Sequence, residues 1–286
     1  MSRYMIVTDS SCDIPQNLLE DWGVGCIQLD VLVDGEQPRK NNEVEPAGFY
    51  EGLRQGKMAK TSAANIEDFK NMFRPVLENG TDILYIAFSS GLSTTYQSAV
   101  IAVEELREEF PAQNILTVDS LAASLGQGML VYLAVQRQKQ GDDIHTVAAY
   151  VQELIPHMAH WFTVDDLQFL KRGGRISATV ALVGSVLGIK PVLHMDDEGH
   201  LINVSKVRGR AAALEALADM YGKTVADKDA PVFISHGDCE DDAEKLAAIL
   251  KAKYAVDVQL CNFVGPVIGA HSGPGTLALF FVAQHR

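Results

Sequence analysis

Short apolar runs alternate with longer segments of helical periodicity through the first half of this chain, and that alternation restricts the fold more than any other feature. Met5-Ile6-Val7-Thr8, Ile83 to Ala87 and Ile115 to Val118 read as buried strands, while Ile14 to Trp22, Ile66 to Glu78, Tyr96 to Glu109 and Ala122 to Lys139 read as helices. Strands separated by helices form a mainly parallel sheet covered on both faces, with ligands gathering at the carboxyl ends of the strands. Cys26 to Val33 reads as one further strand, closed by the turn Asp34-Gly35-Glu36. Asn65 stands where it can cap the helix over 66–78, with Asp68 in a box-like position and Gly80 just past the end.

The pattern changes after Gly141-Asp142-Asp143 and a helix over Ile144 to Met158. Trp161 to Val164 is a short strand, and Ala178 to Leu187 is a helix of small and large apolar residues. Val192-Leu193-His194 and Leu201 to Val204 flank Asp196-Asp197-Glu198-Gly199, a hairpin signal. Helices over Arg210 to Tyr221 and Asp241 to Lys253, strands over Val232 to Ser235 and Val256 to Leu260, and an apolar run Leu277 to Val282 complete the chain. The expected architecture is α/β in two domains: residues 1–157 with a mainly parallel three-layer sheet, and residues 158–286 with a mixed sheet, a ligand cleft lying between them.

With 286 residues, 47% hydrophobic and 21% charged, the chain has the composition of a globular protein with a sizeable core. Its net charge of -13 repels nucleic-acid backbones, so DNA and RNA are not expected partners. Met1-Ser2-Arg3 leads straight into a strand without a signal-like apolar segment, and the longest nearly apolar stretch, Ala178 to Ile189, is shorter than the roughly 20 residues of a membrane helix. A cytoplasmic protein without stable membrane insertion is expected. Cys12, Cys26, Cys239 and Cys261 show no CxxC spacing, which predicts reduced thiols rather than a metal site or disulfides; no cofactor is expected.

Three polar elbows carry the candidate chemistry. Phe88-Ser89-Ser90-Gly91-Leu92-Ser93-Thr94-Thr95 follows a strand and opens a helix, where unpaired backbone N–H groups and hydroxyls suit an anion; the same hydroxyls equally suit an ordinary N-cap. Thr61-Ser62 precedes another helix, and His271-Ser272-Gly273-Pro274-Gly275 forms the third. Neutral donors from Thr61, Ser62, Ser93 and His271 suit a carboxylate better than a phosphate dianion, which recruits Arg or Lys into its pocket. Asp9-Ser10-Ser11 serves either as a phosphoryl acceptor or, more simply, to tie down the loops around it. Gly222-Lys223-Thr224 looks like the end of a P-loop, but Leu217 occupies the position where that motif needs glycine. Ser93, Asp119 and His271 follow the chain order of an α/β-hydrolase triad, giving a serine esterase or thioesterase as the alternative; Thr94 occupies the place of the elbow's second glycine and weakens it.

Asp9-Ser10-Ser11, Thr61-Ser62, Ser89-Ser90-Gly91-Leu92-Ser93-x-Thr95-Tyr96, Leu170-Lys171-Arg172-Gly173-Gly174-Arg175-Ile176, Ile189-Lys190-Pro191, Lys206-Val207-Arg208-Gly209-Arg210 and Gly265-Pro266-Val267-Ile268-Gly269-x-His271-x-Gly273-Pro274-Gly275 together resemble the DegV family across essentially the whole chain. The resemblance implies a non-catalytic bacterial lipid-binding protein that holds one long-chain fatty acid between its domains, the C-terminal one burying lipid. It implies that such a protein is the substrate subunit of a fatty acid kinase, presenting the carboxylate to a separate ATP-dependent kinase protein for acyl-phosphate formation. By motif position, Thr61, Ser62, Ser93 and His271 would hold the carboxylate, and Arg172 would meet the kinase or the phosphorylated product. Arg208 and Arg210 are weaker candidates beside a helix start. At about 0.8 kcal/mol per buried methylene, a long acyl chain supplies more than roughly 10 kcal/mol before ordering costs, so the polar groups need only select the carboxylate. Thr94 and Ala63-Ala64 depart from the family's usual Gly and Gln-Pro at positions beside these donors.

Overall fold

A computed structural model describes residues 4–177 and 188–286. Strands β1 (Tyr4–Asp9), β2 (Gly25–Ile27), β6 (Asp82–Ala87) and β7 (Ile115–Asp119) form a parallel sheet in the order β2-β1-β6-β7. Every residue of β6 is buried, as a parallel strand covered on both faces requires. Its alternate side chains go to opposite layers. Ile83, Tyr85 and Ala87 pack with Phe69, Phe73 and Leu77 of the helix Ile66–Glu78 and with Ala99, Val103 and Leu106 of the helix Thr95–Glu109. Leu84 and Ile86 pack with the helices Leu125–Lys139 and Ile144–Leu154.

The second sheet has the order β10-β9-β8-β13-β11-β12, where β8 is Met158–Thr163, β9 Ile189–Met195, β10 Leu201–Arg208, β11 Phe233–His236, β12 Leu260–Phe263 and β13 Leu277–Val282. Only β11 and β12 run parallel, so the sheet is mixed. Trp161, Ile234, Leu279 and Phe281 on one face meet Leu214, Leu217, Tyr221, Leu246 and Leu250 of the helices Arg210–Thr224 and Glu240–Tyr254. Phe162, Phe233 and Phe280 on the other face meet the helix Leu125–Lys139, with the Tyr132 and Phe233 rings 5.7 Å apart. That helix is therefore a wall shared by both sheets, and its residues from Leu125 to Val131 are all buried.

Several expectations shift. The run Cys26 to Val33 is two strands in different sheets: β2 joins β1, while β3 (Asp30–Val33) lies between β4 (Arg39–Lys40) and β5 (Ala59–Ser62) in a small antiparallel sheet. Tertiary hydrogen bonds make the switch, since Leu29 N–H donates to Ser10 Oγ at 3.0 Å and Asn41 N–H to the Leu29 carbonyl at 2.9 Å. The helix predicted to reach Met158 ends at Leu154 and passes through a tight turn containing Pro156. β12 begins at Leu260, four residues later than Val256, because Gln259 first bonds Val232 through its side chain and backbone. The predicted helix from Ala178 to Leu187 lies outside the described residues. Gly222-Lys223-Thr224 closes the helix Arg210–Thr224 and forms no phosphate loop. Among the described residues, no helix is long and apolar enough to cross a membrane.

Candidate functional site

A cavity of about 500 Å3 lies between the two sheets, within the range of small-molecule sites. Phe88, Leu92 and Ala123 from the N-terminal half line it, as do Phe162, Met195 and Phe280 from the second sheet. The helix Pro266–Ser272 contributes Val267, Ile268 and His271. Its polar lining includes Thr61, Ser93 and Arg175 beside His271; among the described residues lining it there is no Asp or Glu, and Arg175 is the formal cation.

The loop after β6 owes its shape to Asp9. This fully buried carboxylate accepts from Tyr85 Oη at 2.7 Å, Phe88 N at 2.9 Å and Ser11 N at 3.1 Å. Burial pushes its pKa up and these hydrogen bonds pull it back. Asp9 is thus fully engaged in tying down the loops. Asp119 Oδ1 supports the next turn by accepting from Ser90 N and Leu121 N, both at 3.2 Å. Ser89 turns away from the cavity and donates to the Gly199 carbonyl at 2.9 Å. Position 91 must be glycine, because a Cβ there would meet the carbonyls of Glu198 and Gly199 at the tip of the β9–β10 hairpin. Ser90, Ser93 and Thr94 face the cavity, and Ser93 Oγ lies 2.9 Å from Thr95 Oγ1 while accepting from Thr95 N at 3.2 Å.

Thr61 and His271 come together: Thr61 Oγ1 lies 2.7 Å from His271 Nε2. The two-residue alternation of β5 turns Thr61 toward the cavity and leaves Ser62 exposed, outside the lining. Ser62 therefore falls away from the polar set that its place in the sequence suggested. Burial, reinforced by the charge of Arg175, lowers the His271 pKa to about 4, so its imidazole is neutral near pH 7. A second cavity histidine, His160, is neutral as well: burial holds its pKa well below the usual value, Nδ1 bonds the Met158 carbonyl at 2.9 Å, and Nε2 accepts from Ala123 N at 3.3 Å.

Arg175, which sequence reasoning does not assign to the site, lines the cavity. Gly174 adopts a left-handed conformation (φ +72°), and the chain folds back so that Arg175 N–H donates to the Leu170 carbonyl at 2.9 Å. The guanidinium then bridges Leu92 O, at 3.2 and 3.0 Å, to the carbonyl of Gly173. The Gly-Gly pair was the signal available for this reversal. Arg172 is exposed and lies over the Phe169 ring, 4.6 Å from its centroid. It borders a smaller pocket of about 280 Å3 whose lining includes Lys60, Thr61, Arg175 and His271. Arg210 is committed elsewhere, bonding Asp242 at 2.8 Å.

The triad geometry does not form: Ser93 pairs with Thr95, His271 with Thr61, and Asp119 with backbone N–H groups of its own loop region. Among the described residues, no three His, Cys, Asp or Glu side chains are grouped to hold a metal ion. The four cysteines are free thiols.

A family model described as "Uncharacterised protein, DegV family" matches residues 3–284. The chain belongs to the DegV family. A DegV domain-containing protein of Clostridium perfringens is 43% identical to it, covering 100% of this chain and 99% of the relative. Among solved structures, a DegV family protein from Thermus thermophilus described for its fatty acid binding shares 31% identity and superposes with a TM-score of 0.87, over 99% of this chain and 100% of that one. DegV of Bacillus subtilis, described as a fatty acid binding protein, shares 27% identity with a TM-score of 0.84 over 99% and 100% of the respective chains. This DegV-family fold thus brings residues of all three polar elbows into the lining of one largely apolar cavity.

Proposed function

We propose that this protein binds one long-chain fatty acid, with its carboxylate on Thr61, Ser93 and His271 and its acyl chain in the apolar cavity. The observation that carries this is the Thr61–His271 pair standing at the wall of a cavity that holds no acidic side chain among its described lining residues. A neutral imidazole and hydroxyls donate to a single negative charge without neutralising it by proton transfer. Arg175 adds a fixed positive charge nearby. Fatty-acid binding in the Thermus thermophilus and Bacillus subtilis relatives supports the same reading.

The bound carboxylate is the nucleophile in acyl-phosphate formation: its oxygen attacks the γ-phosphorus of ATP and ADP leaves. This chain supplies the substrate and a separate fatty acid kinase supplies ATP and catalysis, in the cytoplasm where ATP is present. Arg172, exposed beside the second pocket, is the contact for the kinase or for the phosphorylated product. The domain boundary lies at 157/158, where the chain enters β8. Hydrolysis by Ser93 is the weaker reading, since its hydroxyl bonds Thr95 and an imidazole with a pKa near 4 is a poor general base.

Titrating delipidated protein with stearate tests the binding step. Saturable binding, weakened in Thr61→Val, supports it; steady ester hydrolysis abolished by Ser93→Ala would favour the esterase instead.

A further inference from the structure

The cavity has more polar capacity than a carboxylate and an alkyl chain use. Across the inner face of the second sheet, Ser235 is in register with Ala278, Ala278 with Phe162, and Phe162 with Leu193. The neighbouring row holds Phe233, Phe280 and His160. Ser235 is thus a fully buried hydroxyl within an otherwise largely apolar floor, and it lines the cavity.

It does not stand alone. Ser235 Oγ lies 3.0 Å from Ser124 Oγ, another cavity-lining hydroxyl, and Ser124 in turn donates to Asp13 Oδ2. Asp13 is 6% exposed and meets the C-terminal half of the chain, where Asn262 Nδ2 donates to its carbonyl at 2.8 Å and Gly265 lies against its Oδ1. A proton count along this chain of oxygens decides what it offers. With Asp13 ionised, the Ser124 proton goes to Asp13 and the Ser235 proton to Ser124, so Ser235 Oγ presents lone pairs to the cavity. With Asp13 protonated, the relay reverses and Ser235 O–H is free to donate. Burial raises the Asp13 pKa to about 7, so both forms are populated near neutrality. Independently, Ser272 is 5% exposed, lines the same cavity, and among the described residues its Oγ has no hydrogen-bond partner. A buried hydroxyl left dry against methylene groups costs free energy, whereas a ligand oxygen would satisfy it.

We propose that Ser235 and Ser124, backed by Asp13, form a second polar subsite that recognises an oxygen carried along the acyl chain, so that the preferred ligand class is an in-chain hydroxy or keto fatty acid. This rests on the fatty-acid reading above and narrows it. A hydroxyl would donate to Ser235 when Asp13 is ionised, and a keto oxygen would accept from it when Asp13 is protonated.

The test is calorimetric titration of the delipidated full-length protein with stearate and with a set of hydroxystearates differing in the carbon that bears the hydroxyl. One positional isomer is expected to bind about fivefold tighter than stearate. In Ser235→Ala the preference is lost, since a methyl group then stands where the hydroxyl met the ligand oxygen. Ser124→Ala, which cuts the relay one oxygen earlier, provides a second variant, and the wild-type comparison among isomers needs no variant at all. If stearate binds and every hydroxystearate binds more weakly, the subsite is refuted while fatty-acid binding stands. Retention of the preference in both variants also refutes it. If neither stearate nor any hydroxystearate binds, both proposals fall.

Discussion

Thr61 Oγ1 and His271 Nε2 meet at 2.7 Å across 210 positions of sequence, joining a short edge strand of the N-terminal half to the last turn of the helix Pro266–Ser272. Neither residue is held by its own element alone. Thr61 faces the ring because β5 pairs with β3 in a register that opposes Thr61 to Val31, and the ring is packed from its other side by Gly173.

Removing one member of that pair should weaken ligand binding without unfolding the protein. Thr61→Val keeps the shape and deletes the hydroxyl, and stearate affinity measured by titration is expected to fall about tenfold. Ser62→Ala changes a side chain that points outward and should alter affinity less than about twofold. Equal losses in the two variants would contradict the orientation of β5.

Gly173 matters through His271. A Cβ at position 173 would run into His271 Nδ1, so Gly173→Ala must push the ring away from Thr61. The expected result is a loss of affinity similar to that of Thr61→Val, together with a His271 pKa that moves back toward the ordinary histidine value as the ring is released into water. NMR titration of the imidazole resonances reads the second effect, which a simple loss of stability would not produce.

The buried imidazole also predicts a pH dependence. His271 has a folded-state pKa of about 4, against 6.5 for an ordinary histidine. Between these values the unfolded chain binds the proton more readily, so the ligand-free protein loses stability as pH falls from about 6.5 and the loss levels off below about 4. The contribution is roughly 3 kcal/mol over that window. His160, His194 and His236 are lowered in the same direction, so the measurement is the difference between wild type and His271→Asn in denaturant unfolding at pH 7.5 and pH 4.5. The wild type is expected to lose more stability than the variant between those two conditions.

Arg172 lies outside the main cavity and should separate binding from presentation. Arg172→Ala is expected to retain stearate affinity and to lose acyl-phosphate formation when a cognate kinase and ATP are supplied. Unchanged turnover would remove Arg172 from that role.

The parts of the fold legible in the sequence are those where local pattern and tertiary burial agree. Ile83 to Ala87 is apolar without interruption and is buried on both faces, and the glycine turn after it opens a helix as its residues suggest. Asp196-Asp197-Glu198-Gly199 makes the hairpin tip through Asp196 Oδ1, which accepts from Glu198 N and His200 N. What stayed hidden depends on distant partners. Gln28 and Leu29 carry no turn signal, yet the chain leaves one sheet for another there because Ser10 and Asn41 offer bonds from elsewhere. β5 is four residues long and half exposed, so alternation alone could not separate Thr61 from Ser62 until the strand was known to exist. That Arg175 reaches the cavity depends on one left-handed glycine and on the Leu92 carbonyl, which lies 83 positions away from it.

The most direct test of the central claim is organic extraction and mass spectrometry of the purified protein, followed by titration of the delipidated chain with stearate. The predicted result is about one long-chain fatty acid recovered per chain, and saturable one-to-one rebinding that Thr61→Val and His271→Asn each weaken. Recovery of no fatty acid, together with no rebinding by the folded wild-type protein, would contradict it.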